Sequence, residues 1–174
     1  MQSFTLAPVS KSTLIWQLLI LAIPPVILVG LLMVPEFRSD LRLSIPLGLT
    51  LVLTTVGIAL FTRRRRIQID GGQLRVAATF YTWKHAIADL DLEHSRVLSL
   101  DEHTHLRPMI KTNGYSLPGF HAGHFRSKQW QKLFCLVTNP SVLLIPLKHR
   151  NGALLLSPEH PRQLQNALLE PVRD

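Results

Sequence analysis

Residues 14–34, LIWQLLILAIPPVILVGLLMV, and 43–62, LSIPLGLTLVLTTVGIALFT, decide the architecture, together with the four arginines that follow, Arg63, Arg64, Arg65 and Arg66. The first run has 21 residues and the second 20, and neither holds Asp, Glu, Lys, Arg or His. At about 1.5 Å of rise per residue, roughly 20 helical residues cross a hydrocarbon core of about 30 Å. Two such runs joined by a short linker read as a membrane hairpin. The first run is too long for the apolar core of a cleaved leader and lacks an Ala-x-Ala site, so it reads as a retained anchor. Without ionisable groups inside either run, an ion or proton pathway has no support.

The flanks set the orientation. Cytoplasmic flanks carry the excess of Lys and Arg. The arginine run therefore places residues 63–174 in the cytoplasm and the linker, 35–42, outside. Residues 1–13, with Lys11, form a cytoplasmic tail, so both termini lie inside. Pro24 and Pro25 remove backbone donors near the middle of the first helix and predict a kink. In the second, Thr50, Thr54 and Gly57 share one face, which predicts close packing on the first helix or on another subunit.

Charge divides the chain at the same place. The 174 residues carry +8 overall, and residues 63–174 carry +7 of it on 16 basic and 9 acidic groups. Four of those bases are the arginine run; the remaining excess is ordinary, and nucleic-acid binding is not expected. The single cysteine, Cys135, excludes an intrachain disulfide and lies in an apolar run, which predicts a buried thiol.

Beyond the arginines the pattern alternates in short runs. Residues 67–70 and 74–81 flank Gly71-Gly72 as a hairpin. Further strands are predicted over 83–88, 96–100, 130–138, 141–147 and 153–156. Pro146 argues for an edge or a bulge. A turn is predicted at Arg150-Asn151-Gly152. Residues 107–126 read as irregular, with turn dipeptides at Asn113-Gly114 and Pro118-Gly119. Ser157-Pro158-Glu159 reads as a helix start, with Leu164, Ala167 and Leu168 as the apolar stripe. Seven to eight strands and one terminal helix suggest a small barrel or sandwich closed at one end.

These residues carry a resemblance. Asn113-Gly114, Pro118-Gly119, Gly123-His124-Phe125, the strand ending Leu136-Val137-Thr138, and Leu155-Leu156-Ser157-Pro158 before the last helix resemble the bacterial pleckstrin-homology (PH)-like domain family. The match covers about residues 67–171, preceded by the two-helix anchor common in such proteins. Residues 121–124 depart from it, with His121 and His124 where relatives often carry Arg and an aromatic. The resemblance implies two nearly orthogonal antiparallel sheets, about seven strands in all, closed by a C-terminal helix. It implies little about ligand: the eukaryotic namesakes often bind phosphoinositides, but a fold does not confer a function.

Three functions are set against each other. The first is a non-catalytic two-pass protein of the bacterial inner membrane. It would present a cytoplasmic PH-like module for protein interaction, self-association or membrane-surface contact, with no cofactor. The second is an anionic-lipid sensor using Arg63, Arg64, Arg65 and Arg66, each worth about 1 kcal/mol near an anionic surface. The third is a metalloenzyme drawing on His103, His105, His121 or His124, although no HExxH or paired Cys-x-x-Cys accompanies them. Asp89, Asp91 and Glu93 read as an exposed acidic edge. The first reading is favoured.

Overall fold

The computed structural model describes residues 2–149 and 151–170. Strand β1 (Gln2–Phe4) precedes helices α1 (Lys11–Leu32), α2 (Pro35–Ser39) and α3 (Leu41–Arg63). Strands β2 (Arg65–Asp70), β3 (Gln73–Ala78), β4 (Tyr81–Ala86) and β5 (Arg96–Ser99) follow. Then come β6 (Ile110–Leu117), β7 (Phe120–Arg126), β8 (Lys132–Val137), β9 (Ser141–Pro146), β10 (Gly152–Leu156) and helix α4 (Pro161–Leu169). The strands form two sheets, ordered β1-β2-β3-β4 and β5-β9-β10-β8-β7-β6.

Helices α1 and α3 are long and apolar enough to cross a membrane. Their apolar side chains face outward: Leu18, Val26, Leu53 and Leu60 are each more than 60% exposed. Water is a poor environment for so large an apolar surface. Between the helices runs a stripe at near-heptad spacing. On α1 it is Gln17, Pro24, Leu28 and Leu31; on α3 it is Ser44, Gly48, Leu51, Thr55 and Ile58. Gly48 admits Leu28 at 3.6 Å from the position its missing Cβ would take. Thr50 and Thr54 lie outside this stripe, so the first of the two expected packings of the Thr50, Thr54 and Gly57 face, on α1, is not made by the threonines. Thr50 and Thr54 are exposed, with their hydroxyls turned back to the Pro46 and Thr50 carbonyls at 2.8 and 2.7 Å. Such back-bonding satisfies a hydroxyl within its own helix and needs no partner. The helix assignment of α1 runs unbroken through Pro24 and Pro25.

The six-stranded sheet is apolar on both faces. Phe134, Leu136, Leu143, Ile145, Leu154 and Leu156 point into the main core with Ile67, Leu74, Val76 and Trp83 of the other sheet and Leu164 and Leu168 of α4. Leu98, Leu133, Cys135, Val137, Val142, Leu144 and Leu155 fill the opposite face and cluster with Leu100 and Leu106. Strands β5 and β6 lie at opposite edges of this sheet, so the 100–109 connection crosses that second face and covers it. A strand covered on both sides reads as a continuous apolar run, which is how 133–137, 142–145 and 153–156 are written.

Among the described residues there are ten strands, somewhat more than the seven to eight expected. Strand β1 comes from the tail, and β6 and β7 come from the stretch read as irregular. Asn113-Gly114 is not a turn: it lies inside β6, beside a register shift between Lys111 and Asn113, and Gly114 faces Gly123 across the ladder. A Cβ on Gly123 (φ +107) would sit 2.7 Å from the Tyr81 ring and 2.8 Å from the Asn113 carbonyl. The glycines mark close approach inside a strand. Pro118-Gly119 is the β6–β7 turn, as expected. Strand β9 is internal rather than an edge, and Pro146 is tolerated as its last residue. Leu147 N–H donates to Gly152 in β10, so the ring nitrogen of Pro146 faces the other way, past the end of β5. Strands β8 and β10 run parallel within an otherwise antiparallel sheet.

The last helix begins later than Ser157-Pro158 suggests. Ser157 is buried, its N–H donates to Leu136 at 3.0 Å, and Pro158 bridges Leu6. His160 takes the cap position and Pro161 the first turn. The serine is consumed by the sheet, and the next proline starts the helix. The turn expected at 150–152 involves Arg150, which lies outside the described residues, as do residues 171–174.

Residues 2–13 are stitched into the β module. Ala7 N–H donates to Ser157 and its carbonyl accepts from Thr138 Oγ1 at 2.9 Å. Glu159 N–H donates to Thr5, and Thr5 Oγ1 donates to Glu159 Oε2 at 2.8 Å. Ser10 caps α1 through Thr13 N–H, and the buried Thr13 hydroxyl donates to the Pro118 carbonyl at 2.7 Å. Ile20, further along α1, packs against the main core.

Two outcomes are expected. Gly123→Ala costs about 2–4 kcal/mol of stability, since it adds both strain and overlap, measured by thermal unfolding in detergent. Cys135 is fully buried and burial pushes its thiol far up; thiol reagents therefore modify it only after denaturation, read by mass spectrometry.

Candidate functional site

The N-terminal chain pairs with β2 only from Gln2↔Ile69 to Phe4↔Ile67. Past Phe4 it leaves the sheet for the Leu6–Pro158 bridge and then enters α1. This fork opens a cavity of about 650 Å³ beside the start of β2. Residues 3–9, Leu14 of α1 and Gln68 wall it, with Arg63, Arg65 and Arg66. Among the described residues no Asp or Glu lines it.

The four arginines separate by role. Arg64 is turned away: its carbonyl accepts Thr79 N–H at 2.8 Å, and its guanidinium donates to Thr82 Oγ1 at 3.2 Å. Arg65 is half-buried and lies 5.4 Å from the Phe120 ring centroid. Phe120 in turn meets Tyr115 edge-on at 5.9 Å. Burial pulls the Arg65 guanidinium below its ordinary value, and burial raises the Tyr115 hydroxyl. Cation–π contact orients such a cation but does not neutralise it. Arg63 and Arg66 are exposed. Among the described residues, none of Arg63, Arg65 and Arg66 makes an ion pair. The arrangement can hold a multiply charged oxyanion, whose oxygens match guanidinium forks.

The histidines do not converge. His121 and His124 fall on opposite sides of β7. His121 meets Ser116 Oγ at 2.9 Å and the Phe125 ring edge-on at 5.5 Å. His124 lies edge-on to Phe134 at 5.0 Å and to Tyr81 at 6.4 Å. His103 and His105 adjoin each other across the 100–109 connection, with ring centroids 5.9 Å apart. Among the described residues no group of three or more His, Cys, Asp or Glu is placed to hold a metal. His121 also borders a recess of about 270 Å³ with Asn139 and Arg107. There Arg107 is already neutralised by Asp101, and its Nε donates to the Leu100 carbonyl at 2.8 Å.

The resemblance motif is structural in its placement. Asn113 and Gly114 sit at the β6 irregularity, Gly123 beneath Tyr81, and Phe125 in the second core. Pro118 and Gly119 dock on α1, and Ser157 and Pro158 hold the N-terminal segment. A separate apolar patch lies at the other end of the β6–β7 pair, where Met109, Ile110 and Trp130 are exposed. Trp130 has φ 62, a conformation that bulky residues rarely adopt, and Arg126 lies 5.4 Å from the centroid of its ring.

Sequence reasoning found the arginines but not their walls. Phe4, Leu6, Val9 and Leu14 line the same cavity as Arg65 because of the fork, and no local spacing encodes it.

A family model described as a bacterial PH domain matches residues 65–171. No curated protein and no solved structure matches the chain.

Burial lowers both His121 and His124 from the ordinary 6.5. The unfolded chain then binds more protons than the folded one as pH falls through that value. Their contribution is present above pH 6.5 and is lost on acidification. The unfolding midpoint should fall as pH drops below that point, and His121→Gln or His124→Gln should each flatten the fall. Exposed His94, raised by its hydrogen bond to Asp91, acts in the opposite sense.

Proposed function

The chain belongs to the bacterial PH-domain family, and from that premise we propose that it is a two-pass protein of the bacterial inner membrane. It holds its PH module against the cytoplasmic leaflet as a non-catalytic interaction platform. The observation that carries this reading is the join between helix and module. Residues 2–9 complete a sheet, and Thr13 in the first turn of α1 is bonded to the β6–β7 turn. A freely tethered domain needs no such join; a module held in one pose on a membrane does. The outward apolar faces of α1 and α3 and the arginines that close α3 support the orientation.

The exposed Met109, Ile110 and Trp130 favour a protein partner, or a second copy of the chain, over a purely structural anchor. The PH-domain match, with no group of three or more His, Cys, Asp or Glu placed to hold a metal among the described residues, favours binding over metal-dependent catalysis.

The test is topological. In membrane vesicles, protease should cut the module only when the cytoplasmic face is outward, and the chain should stay with the membrane in carbonate. Cleavage in right-side-out vesicles, or release by carbonate, overturns the reading. Deletion of residues 2–9 should leave the chain in the membrane and make the module markedly more sensitive to protease.

A further inference from the structure

Strand β4 is an edge of the four-stranded sheet, and it meets β7 and β8 of the larger one. Trp83 stacks on Phe134 at 6.0 Å, and Tyr81 meets His124 edge-on at 6.4 Å. Along that margin lies a cavity of about 630 Å³. Six side chains define its chemistry: Trp83 and His85 of β4, His124 and Arg126 of β7, and Lys132 and Phe134 of β8. The register brings them together. His124 stands opposite Phe134, and Arg126 opposite Lys132, across the β7–β8 ladder, so all four share one face of that sheet. Trp83 and His85 are two apart on β4 and share a face in the same way.

One half of the cavity is made of rings. The Trp83 ring lies 4.5 Å from His85 on one side of this group, and Phe134 meets His124 edge-on at 5.0 Å on the other. A planar ring entering here finds aromatic surface on both β4 and the larger sheet. Trp83 is 8% exposed, and among the described residues its indole N–H has no acceptor. A buried indole N–H ordinarily finds one. The other half is cationic. Arg126 and Lys132 face each other directly, and like charges so placed repel. Among the described residues no Asp or Glu lines the cavity; Asp89 approaches His85 Nδ1 at 3.8 Å without lining it. A lone arginine in water implies nothing. Here two cations border one recess whose remaining walls are aromatic, and a carboxylate between them relieves the repulsion.

The position favours a soluble occupant. Pro118 and Gly119, which dock on α1, lie at the opposite end of β7 from Arg126. Seven strand residues at about 3.3 Å each put roughly 20 Å between them. An acyl chain held in a bilayer has that span to cross.

We propose that this cavity binds a small aromatic carboxylate of one or two rings from the aqueous phase. The ring lies against Trp83, His85 and Phe134, and the carboxylate sits between Arg126 and Lys132. The Trp83 N–H donates to an acceptor atom of the ligand. A volume of about 630 Å³ is in the range of small-ligand sites. The site lies within the β module and is independent of the two-pass reading. It adjoins the exposed patch, since Arg126 also lies 5.4 Å from the Trp130 ring centroid.

The experiment uses the full chain in an uncharged detergent, with affinity read by titration calorimetry and folding of each variant by thermal unfolding. The probes are indole-3-propionate, its neutral amide, 3-cyclohexylpropionate, and a capped tripeptide of one phenylalanine between two aspartates. Indole-3-propionate should bind about tenfold or more tighter than the amide or the cyclohexyl acid. Arg126→Gln and Lys132→Gln should each weaken it about fivefold. Trp83→Phe keeps a ring and loses the N–H, and should weaken it about threefold. Lys128→Gln removes a charge from the same turn but outside the cavity, and Trp130→Ala removes the other partner of Arg126; both should leave the affinity nearly unchanged. Equal loss from Lys128→Gln and Lys132→Gln overturns the proposal in favour of diffuse attraction. The cyclohexyl acid binding as tightly as the indole overturns it in favour of an unselective apolar recess. The tripeptide binding more tightly than the free acid overturns it in favour of a protein segment. No binding, or no preference for the acid over its amide, overturns it outright.

Discussion

A single buried hydroxyl holds the two halves of this chain in register. Thr13 Oγ1 donates to the Pro118 carbonyl across 105 residues of sequence. One neutral hydrogen bond is worth only about 1 kcal/mol net, so its weight is geometric. It fixes the first turn of α1 on the β6–β7 turn, and the backbone bonds of Ala7 and Thr5 to Ser157 and Glu159 fix the approach to it. Gly119 permits the contact, since a side chain there would press on Ser10 and Thr13 at 3.0 and 3.2 Å. With α1 pinned and α3 packed along it, the end of α3 has one place to deliver Arg63. The basic cavity is a consequence of that pinning.

The same constraint explains where strain collects. Thr79, at the β3–β4 turn, is buried in a left-handed conformation (φ 57) with its hydroxyl unpartnered. A β-branched residue pays for that conformation, and an unpaired buried hydroxyl adds to the cost. Its N–H is what the Arg64 carbonyl accepts. The turn therefore holds the arginine strand at the helix exit, and it turns Arg64 outward while Arg65 faces Phe120.

Much of the fold was legible because its signals are local. Two long uncharged runs, the Gly71-Gly72 hairpin and five further apolar runs were read at nearly their observed limits. The errors share a cause. Asn113-Gly114 carries a turn habit, but these residues sit inside a strand because β7 pairs with them, Asn113 with His124 and Gly114 with Gly123. Ser157-Pro158 was read as a helix start, but the neighbouring strand β8 claimed its backbone. Pro146 argues for an edge or a bulge, and the direction of its ring nitrogen depends on where β5 ends. In each case a local habit yielded to a neighbour distant in sequence.

The residues alone settled that an apolar helical pair precedes a small β module, and that four positive charges stand at their boundary. Uncharged length and basic flanks are properties of consecutive residues, so no folding is needed to read them. They also carried the PH-like resemblance. Only the tertiary structure decided that the first residues complete a sheet, that β8 and β10 run parallel, and which arginines share a cavity. Those facts rest on contacts between segments far from adjacent in sequence, such as Lys132 with Gly152, Phe4 with Ile67 and Thr5 with Glu159. A chain's spacing pattern carries no term for such contacts until the backbone has closed them.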